Sequence, residues 1–318
     1  MEAIQLTAVV GGKHSGQRLD QVSAAVFSDY SRSRLQQWIR EGRVLVDGQL
    51  RRPRDKVYAG EHLLLRASFE PQVPCAPEPI PLDLVYEDDH LLVVNKPAGL
   101  VVHPAAGNPD GTLQNALLHH DPNLVDLPRA GIVHRLDKDT TGLMVVAKTA
   151  AAHKTLVEAL QAREIKREYR ALVVGKPTAG GRVEAPIGRH PTKRTRMAVV
   201  STGKHAVTHY RIAERFRIHT LLEVNLETGR THQIRVHMAH IHYPLVGDPV
   251  YGGRLKLPTA AGEHTRQMLR SFRRQALHAY RLGLRHPASG EPMQWQTDMP
   301  GDMQALLECL RQDMRQHG

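Results

Sequence analysis

Hydrophobic residues near the N-terminus recur at helical spacing and predict two short helices. The apolar positions of the first are Leu19, Val22, Ala25 and Val26. Ser31 suits the N-cap of the second helix, and Gly42 suits its end. The apolar face of that helix is Leu35, Trp38 and Ile39. The segments RVLVDGQ and EHLLLRA then predict two strands, which completes a small helix–helix–strand unit.

From about Leu82 onward the apolar runs predict mainly strands. In chain order these runs are HLLVVNKPAGLVVHP, GLMVVAKT, REYRALVVG, AVTHYRIAERF, HTLLEVNLE and ALHAYRLGLRHP. Helices are predicted from Thr112 through Leu118, from Thr149 through Ala162 and near Asp302 to Arg315. Because the strands follow one another without regular helical crossovers, the pattern favours an α+β domain with a large mixed, mostly antiparallel sheet.

Five prolines between Pro71 and Pro81 separate these two regions. Proline fixes φ and removes a backbone donor, so the segment is predicted to be an extended linker. The predicted organisation is a basic module over residues 1–67, a linker over 68–82 and a larger domain over 83–318.

The chain carries 43 Lys and Arg against 32 Asp and Glu, a net charge of +11 over 318 residues. Such an excess predicts attraction to a polyanion, either nucleic acid or an acidic membrane surface. The basic residues of the N-terminal module are Arg32, Arg34, Arg40, Arg43, Arg51, Arg52, Arg54 and Lys56. Any one could be an ordinary solvated side chain, but their clustering indicates phosphate contacts, for which Arg32, Arg34 and Arg43 are the candidates.

The two cysteines, Cys75 and Cys309, form no C-x-x-C pair, which argues against a thiolate zinc site and a disulfide framework. The N-terminus lacks the pattern of a signal peptide, and no apolar run approaches the ~18 residues of a membrane span. We therefore expect a cytoplasmic protein without a membrane partner.

The segment GIVHRLDKDTTGLMVVAKT places Asp137 in a polar loop between two apolar runs. Most loop aspartates cap a turn or pair with a neighbour, here Arg135. HRLD is similar to the H-R-D of a kinase catalytic loop, but the Gly-rich loop, the following Asn and D-F-G are absent. A metal site is a third interpretation, on the histidines His232, His237, His240 and His242. The H-E-x-x-H pattern is missing, so packing or RNA contact is favoured for them.

A nucleophilic carboxylate is the remaining interpretation of Asp137, suited to attack on a sugar or base carbon. Such a group must stay ionised, so a partly buried aspartate needs a fixed cation nearby. Arg230 is the candidate, since it follows a strand and a Thr-Gly turn and precedes a helix predicted to begin near Thr231. Tyr169 could stack on a base and move a proton, although a strand tyrosine is often only a core residue.

In this order, NKPAGLVVHP, GIVHRLDKDTTGLMVVAKT, REYRALVVG and LETGRTHQIRVHMAHIHYPLVGDPVYGG resemble the successive motifs of the RluA-type RNA pseudouridine synthases. The resemblance covers the chain from about Gly16 to the last helix and is closest to the ribosomal large subunit pseudouridine synthase D subfamily. The basic module resembles the small α-L RNA-binding module of a ribosomal protein and of several RNA-modifying enzymes. The fold that it implies is the pseudouridine synthase fold behind an α-L RNA-binding domain.

The resemblance implies the roles of the loop residues. Asp137 would be the nucleophile, either attacking the sugar C1′ or promoting a glycal intermediate, while Asp139 is excluded by its position in the motif. Tyr169 would lie against the base and take part in the deprotonation of C5. Arg230 would pair with the aspartate. Arg135 would fill the stack that a flipped uridine vacates.

The resemblance also implies the partners. The substrate would be large-subunit ribosomal RNA or a pre-50S particle, at clustered uridines of the stem-loop that bridges to the small subunit. The protein would act as a monomer. It would need no metal or other cofactor, because the product is an isomer of the substrate. His134 and Lys96 are further candidate RNA contacts, with Lys96 and Pro97 shaping the cleft or only forming a turn. A rival hypothesis is a ribosome-assembly factor that binds RNA without using Asp137.

Overall fold

The structure is a computed structural model that describes residues 3–27, 30, 32–68, 75–105, 107–193 and 195–317. The chain forms two compact units, Met1–Pro74 and Cys75–Gly318, and the boundary falls inside the predicted linker. The second half of that linker belongs to the larger unit. There Asn115 donates from its side chain to the carbonyl of Ala76 and accepts at its own carbonyl from Glu78. No helix among the described residues is long and apolar enough to cross a membrane.

The smaller unit packs two helices against a four-stranded sheet of order β1-β6-β3-β4. Its elements are β1 (Ala3–Val9), β2 (Gln17–Arg18), α1 (Leu19–Val26), α2 (Arg32–Arg40), β3 (Val44–Val46), β4 (Gln49–Leu50), β5 (Lys56–Val57) and β6 (His62–Ser68), with a 3-10 turn at Gly12–His14. The predicted apolar faces form its core, in which Leu19, Leu35 and Trp38 are buried. The predicted N-cap Ser31 lies outside the described residues.

The larger unit is built on a nine-stranded sheet of order β11-β14-β15-β10-β16-β9-β8-β7, with β17 paired to β16. Its strands are β7 (Leu84–Glu87), β8 (Leu91–Lys96), β9 (Thr141–Ala147), β10 (Lys166–Val174), β11 (Gly181–Glu184), β14 (Val207–Arg215), β15 (His219–Leu226), β16 (Leu277–Arg285) and β17 (Pro292–Gln296). A separate hairpin pairs β12 (Ile187–Arg189) with β13 (Met197–Val199). Only β16 and β9 run parallel among the described pairings of the nine-stranded sheet, which confirms the predicted mostly antiparallel α+β domain.

The helices of the larger unit agree with the sequence pattern at most of their ends. They are α3 (Leu113–His120), α4 (Ala150–Gln161), α5 (Gln233–His240), α6 (Glu263–Ser271) and α7 (Gly301–His317), with 3-10 turns at Pro122–Asp126 and Pro128–Gly131. Thr112 and Thr149 accept backbone hydrogen bonds as N-caps, so α3 and α4 each begin one residue after the predicted start. Helix α6 and strands β1 and β17 were not predicted.

The loop between Gly131 and Thr141, which carries Asp137, is fixed at both ends by the sheet. At its start Ile132 bridges to Val146 of β9. At its end Gly142 has φ of 114°, and a Cβ there would lie 2.2 Å from the carbonyl oxygen of Ala279 in β16. Only glycine permits that approach, so the loop enters β9 at a position set by close strand contact.

Candidate active site

A cleft of about 620 Å³ opens in the larger unit above the centre of the sheet. The Asp137 loop forms one wall, β10 and α4 contribute a second, and the segment from Leu226 to Arg235 forms a third. The predicted residues His134, Arg135, Asp137, Tyr169 and Arg230 all line it. Residues that are more than 90 positions apart in sequence therefore meet in one cavity of the size that holds a nucleotide-sized ligand.

Asp137 is paired with Arg235, not with Arg230. Nη1 of Arg235 donates to Oδ2 of Asp137 at 2.8 Å, and the exposed fractions of the two side chains are 5% and 17%. Arg230 is exposed and turns away, because its Nε donates to the carbonyl of His205 at 3.1 Å. The predicted pairing is thus wrong in its residue and correct in its chemistry. Helix α5 begins at Gln233, two residues later than predicted, which points Arg235 of the first turn at Asp137.

Arg235 is itself held by a second carboxylate, that of Asp248. Its Nε and Nη2 donate to the two oxygens of Asp248 at 2.7 and 2.9 Å. Asp248 also accepts from the backbone N–H groups of Val250 and Tyr251. Burial would raise the pKa of Asp248, but these bonds outweigh it and hold that pKa below its usual value. The guanidinium therefore cannot swing away, and Asp137 meets a positive charge fixed in place.

The free oxygen of Asp137 faces His232. His232 Nε2 lies 3.8 Å from Oδ1, and among the described residues no hydrogen bond reaches that oxygen. On the other side of its ring, Nδ1 lies 2.8 Å from the hydroxyl of Tyr251. Burial lowers the pKa of His232 although Asp137 opposes the effect, so the ring is neutral near pH 7.

Tyr169 lies in β10 between β15 and β16, with its ring 5% exposed at the floor of the cleft. Burial raises the pKa of its hydroxyl, so the side chain is a neutral phenol at neutral pH. Beside it, Arg167 has a buried Nε without a hydrogen-bond partner in the described residues. Gly229 allows this arginine to cross the cleft, since a Cβ at Gly229 would lie 2.8 Å from Nη1 of Arg167. The cleft therefore offers an aromatic face beside Arg167, a cation for which the described part of the chain provides no acidic partner.

Two residues that were predicted to contact RNA, Lys96 and His134, instead make hydrogen bonds that fix the loop carrying Asp137. Lys96 is 1% exposed, and its Nζ donates to the carbonyls of Pro97, Leu100 and Lys138 at 2.8 to 2.9 Å. The predicted RNA contact of Lys96 is therefore wrong, because the amine is enclosed and ties the NKPAG turn to the Asp137 loop. His134 accepts the N–H of Val145 at Nε2, which joins the loop to β9.

The remaining predicted contacts lie on the surface. Arg135 is exposed at the cleft, and within the described residues it forms no ion pair. In the smaller unit Arg32 pairs with Asp20 at 2.8 Å and Arg43 pairs with Glu41 at 2.8 Å, so each shares its charge with an acid. The side chain of Arg34 lies outside the described residues.

The histidines considered for a metal do not converge. His237 is buried, with its ring nitrogens bound to Thr208 and to the carbonyl of Ala185. Across the described part of the chain, no three His, Cys, Asp or Glu side chains are grouped to hold a metal ion.

Arg235, Asp248 and Tyr251 were missed as site residues, although a signal for them exists in the sequence. Arg235 lies between Ile234 and Val236, and an arginine among apolar neighbours is buried only with a partner. That partner, Asp248, follows the apolar pair Leu245 and Val246, but sequence alone does not say which acid it is.

Two family models match the chain. The model for RNA pseudouridylate synthase matches residues 90–240, and the S4 domain model matches residues 17–63, which lie within the predicted basic module of residues 1–67. Both matches agree with the division seen in the fold.

Similar proteins cover nearly the whole chain. A protein of Escherichia coli O157:H7 named "Ribosomal large subunit pseudouridine synthase D" is 60% identical over 317 residues, which is 99% of this chain and 97% of that protein. A protein of the same name from Pseudomonas aeruginosa is 59% identical over 98% of both chains. Among solved structures, "Human RNA Pseudouridylate Synthase Domain Containing 4" superposes with a TM-score of 0.56 at 27% identity, covering 72% of this chain and 92% of that chain.

Proposed function

The chain belongs to the RluA-type RNA pseudouridine synthases, which isomerise uridine to pseudouridine in RNA, and we propose that its substrate is large-subunit ribosomal RNA. The proposal rests on relatives of about 60% identity over 99% of the chain, which carry that substrate in their names. The target uridines are those of the stem-loop that bridges to the small subunit, met on free RNA or on a pre-50S particle in the cytoplasm. The protein acts as a monomer without a cofactor.

Asp137 is the nucleophile of this reaction. Its Oδ2 is held by Arg235 at 2.8 Å while Oδ1 is open to the cleft, and this geometry carries the assignment of Asp137. The open oxygen attacks C1′ of the ribose, or promotes a glycal, as the C1′–N1 bond breaks. The uracil then turns in the cleft and bonds to C1′ through C5. As this bond forms, the bond from Asp137 to C1′ breaks or, in the glycal route, the proton that left C2′ returns to it. C5 afterwards loses its proton. Atoms balance, because the proton lost from C5 is matched by one gained at N1.

Tyr169 supports the base while it is detached. The ring at the cleft floor offers a stacking surface, and the neutral phenol can donate a hydrogen bond to a uracil carbonyl. If Tyr169 also accepts the C5 proton, it must pass its own proton on in the same step, since burial raises its pKa.

Access to the cleft requires that the uridine leave its stem. Extrusion of a base costs a few kcal/mol, and a side chain in the vacated space offsets part of that cost. Arg135 is suited to that position, since it is exposed at the cleft and forms no ion pair among the described residues. The S4 domain adds contacts to the phosphate backbone through arginines such as Arg32, Arg34 and Arg43, and we expect binding to weaken steeply with salt.

The proposal is tested with two aspartates of one loop. Asp137→Asn should lower the rate of pseudouridine formation by on the order of 10⁴-fold or more, the scale expected for removing a nucleophile, with RNA binding kept within several-fold. Asp139→Asn is the matched control and should keep most activity, because the carbonyl, not the carboxylate, of Asp139 is bound by Arg274. Full activity in Asp137→Asn would refute the catalytic assignment.

The substrate is tested separately by mapping pseudouridine in ribosomal RNA from cells that lack the protein. We expect large-subunit sites to be lost, and to return with the wild-type gene but not with Asp137→Asn. Unchanged large-subunit RNA would refute the substrate while leaving the chemistry open to other RNAs. A ribosome-assembly factor that did not use Asp137 would instead be complemented equally by both.

A further inference from the structure

The gap between Asp137 and His232 has the dimensions of a binding site for one small group. Oδ1 of Asp137 and Nε2 of His232 are 3.8 Å apart, too far for a direct hydrogen bond. Both side chains line the cleft, with exposed fractions of 17% and 23%. An oxygen placed to one side of the line between them can lie about 2.7–2.9 Å from each atom.

The hydrogen-bond donor in this gap is fixed by Tyr251. The Tyr251 hydroxyl accepts the backbone N–H of Met197 at 2.9 Å, and its oxygen lies 2.8 Å from Nδ1 of His232. Among the described residues Nδ1 is the acceptor within reach of the hydroxyl proton, so we assign Tyr251 as the donor of this bond. Burial raises the pKa of Tyr251, so that proton stays on the phenol. A neutral imidazole that accepts at Nδ1 carries its proton on Nε2, and His232 therefore presents a donor to the gap.

The backbone at His232 indicates that this position is imposed. His232 has φ 58° and ψ 22°, in the left-handed region, and it precedes α5 without making a side-chain cap. Non-glycine residues are uncommon in that conformation, and Asn, Asp and His are the ones found there most often. The ring also packs edge-on against Tyr251, with centroids 5.6 Å apart. The left-handed backbone and the contacts with Tyr251 together hold the side chain toward Asp137.

A group that fills the gap must accept from Nε2–H and donate to the carboxylate oxygen. A uracil carbonyl can only accept, and it would place an oxygen against Oδ1. A hydroxyl does both. On the ribose of the target nucleotide, the hydroxyl adjacent to the reacting C1′ is the 2′-hydroxyl, which is also the group that distinguishes RNA from DNA.

We propose that His232 and Asp137 together bind the 2′-hydroxyl of the target uridine, which makes His232 a specificity-determining residue for ribose. The proposal rests on the family's reaction at C1′, and it adds a contact that orients the sugar before the glycosidic bond breaks. Tyr251 acts through His232 and is a positioning residue. A deoxyuridine at the target position leaves the donor of His232 without its acceptor, at a cost typical of an unpaired polar group in an enclosed site.

The test is a double-mutant cycle between the protein and the sugar. An RNA fragment that the wild-type protein converts is compared with the same fragment carrying 2′-deoxyuridine at the target position only. The ratio of the two single-turnover rates is the readout, because intrinsic differences in bond reactivity cancel between variants. We expect this ratio to be ~10²-fold or larger for the wild type.

His232→Asn is the informative variant. Asn tolerates the left-handed backbone and can still accept from Tyr251, but its amide is too short to reach the gap. We expect its ratio to fall at least about tenfold toward unity. His232→Gln places an amide nitrogen where Nε2 lies and should keep a larger ratio than Asn. Tyr251→Phe removes the hydroxyl that fixes the proton of His232 on Nε2, so it should lower the ratio several-fold. This second variant tests the proposal even if the Asn variant folds poorly.

His240→Ala, at the exposed end of the same helix, is the control and should keep the wild-type ratio. A wild-type ratio near one, or a ratio unchanged in both His232→Asn and Tyr251→Phe, would overturn the proposal. Failure of the wild type to convert the all-ribose fragment into pseudouridine would instead refute the reaction on which it rests, and the two failures are thereby distinguished.

Discussion

Asp20 in the S4 domain and Asp137 in the cleft are both aspartates bound by arginine, yet their carboxylates are used differently. Asp20 is fully buried, and both of its oxygens accept hydrogen bonds, from Arg18, Arg32 and Gln36. Asp137 has one oxygen bound by Arg235 and the other open to the cleft. An arginine partner is therefore common to both aspartates. What distinguishes Asp137 is a carboxylate oxygen that faces the cleft and accepts no hydrogen bond among the described residues.

The two arginine partners differ as well. Arg32, beside Asp20, is about half exposed at 47%, so this ion pair is partly screened by solvent. Arg235 is 5% exposed and is clamped by Asp248. A cation enclosed in this way is expected to hold both its charge and its position when RNA enters, whereas the surface pairs of the S4 domain can exchange partners with phosphates.

This contrast is tested most strongly when the charge of Asp248 is removed while the ion pair between Arg235 and Asp137 is kept. Asp248→Asn leaves Arg235 beside Asp137 but takes away the charge that fixes it. We expect kcat to fall by ~10²-fold, with little change in RNA affinity, because the loss concerns alignment rather than binding. Single-turnover kinetics over a range of protein concentration separates the two quantities. A loss confined to affinity would contradict the proposed positioning role.

The complementary change is made at Asp20, whose two carboxylate oxygens both accept hydrogen bonds. Asp20→Asn should destabilise the smaller unit by about 2 kcal/mol, since it weakens hydrogen bonds to charged partners. The rate at saturating protein should stay within about twofold of the wild type. Urea unfolding followed by the fluorescence of the buried Trp38, in a Trp295→Phe background, measures the first quantity. A large fall in the reaction rate at saturating protein, with an unchanged free energy of unfolding, would contradict the purely structural role given to Asp20.

A further expected effect concerns the pH dependence of stability. Burial lowers the pKa of His134 to about 3 and the pKa values of His103, His219 and His278 to about 4. The fold therefore keeps these rings neutral while the unfolded chain takes up protons below about pH 6.5. Stability should be unaffected by these groups above that pH and should fall as the pH drops toward 4, by at most about 1.4 kcal/mol per unit for each ring.

This pH effect is measured as the free energy of unfolding between pH 7.5 and 4. His134→Gln, whose side-chain oxygen can accept the N–H of Val145, should show a shallower fall than the wild type. An identical slope in the variant would show that His134 does not contribute to acid lability.

Much of the fold followed from periodicity and turn chemistry. The starts of α3 and α4 near Thr112 and Thr149, the helix end at Gly42 with φ of 73° and the proline-rich boundary could be predicted because each is a local signal. Asp137, the proposed nucleophile, and the cleft tyrosine Tyr169 were identified because whole motifs carry them. These features depend on neighbours in sequence.

The errors arose where the answer depends on distant packing. Arg230 and Arg235 share one motif, and the choice between them is made by the start of α5 after the left-handed His232. Lys96 was expected to face RNA because lysine is usually exposed, but three carbonyls from two segments enclose it. No local sequence pattern indicates either outcome. The burial of Lys96 depends on Lys138, 42 residues away, and the choice of Arg235 depends on the left-handed backbone at His232.

The central claim is that Arg235, rather than Arg230, holds the reactive carboxylate of Asp137. It is tested most directly by the single-turnover release of tritium from RNA labelled at C5 of uridine, compared between Arg235→Met and Arg230→Met at saturating protein. We predict a loss of about 10³-fold or more for Arg235→Met and less than about tenfold for Arg230→Met. Equal losses, or a larger loss in Arg230→Met, would contradict the account.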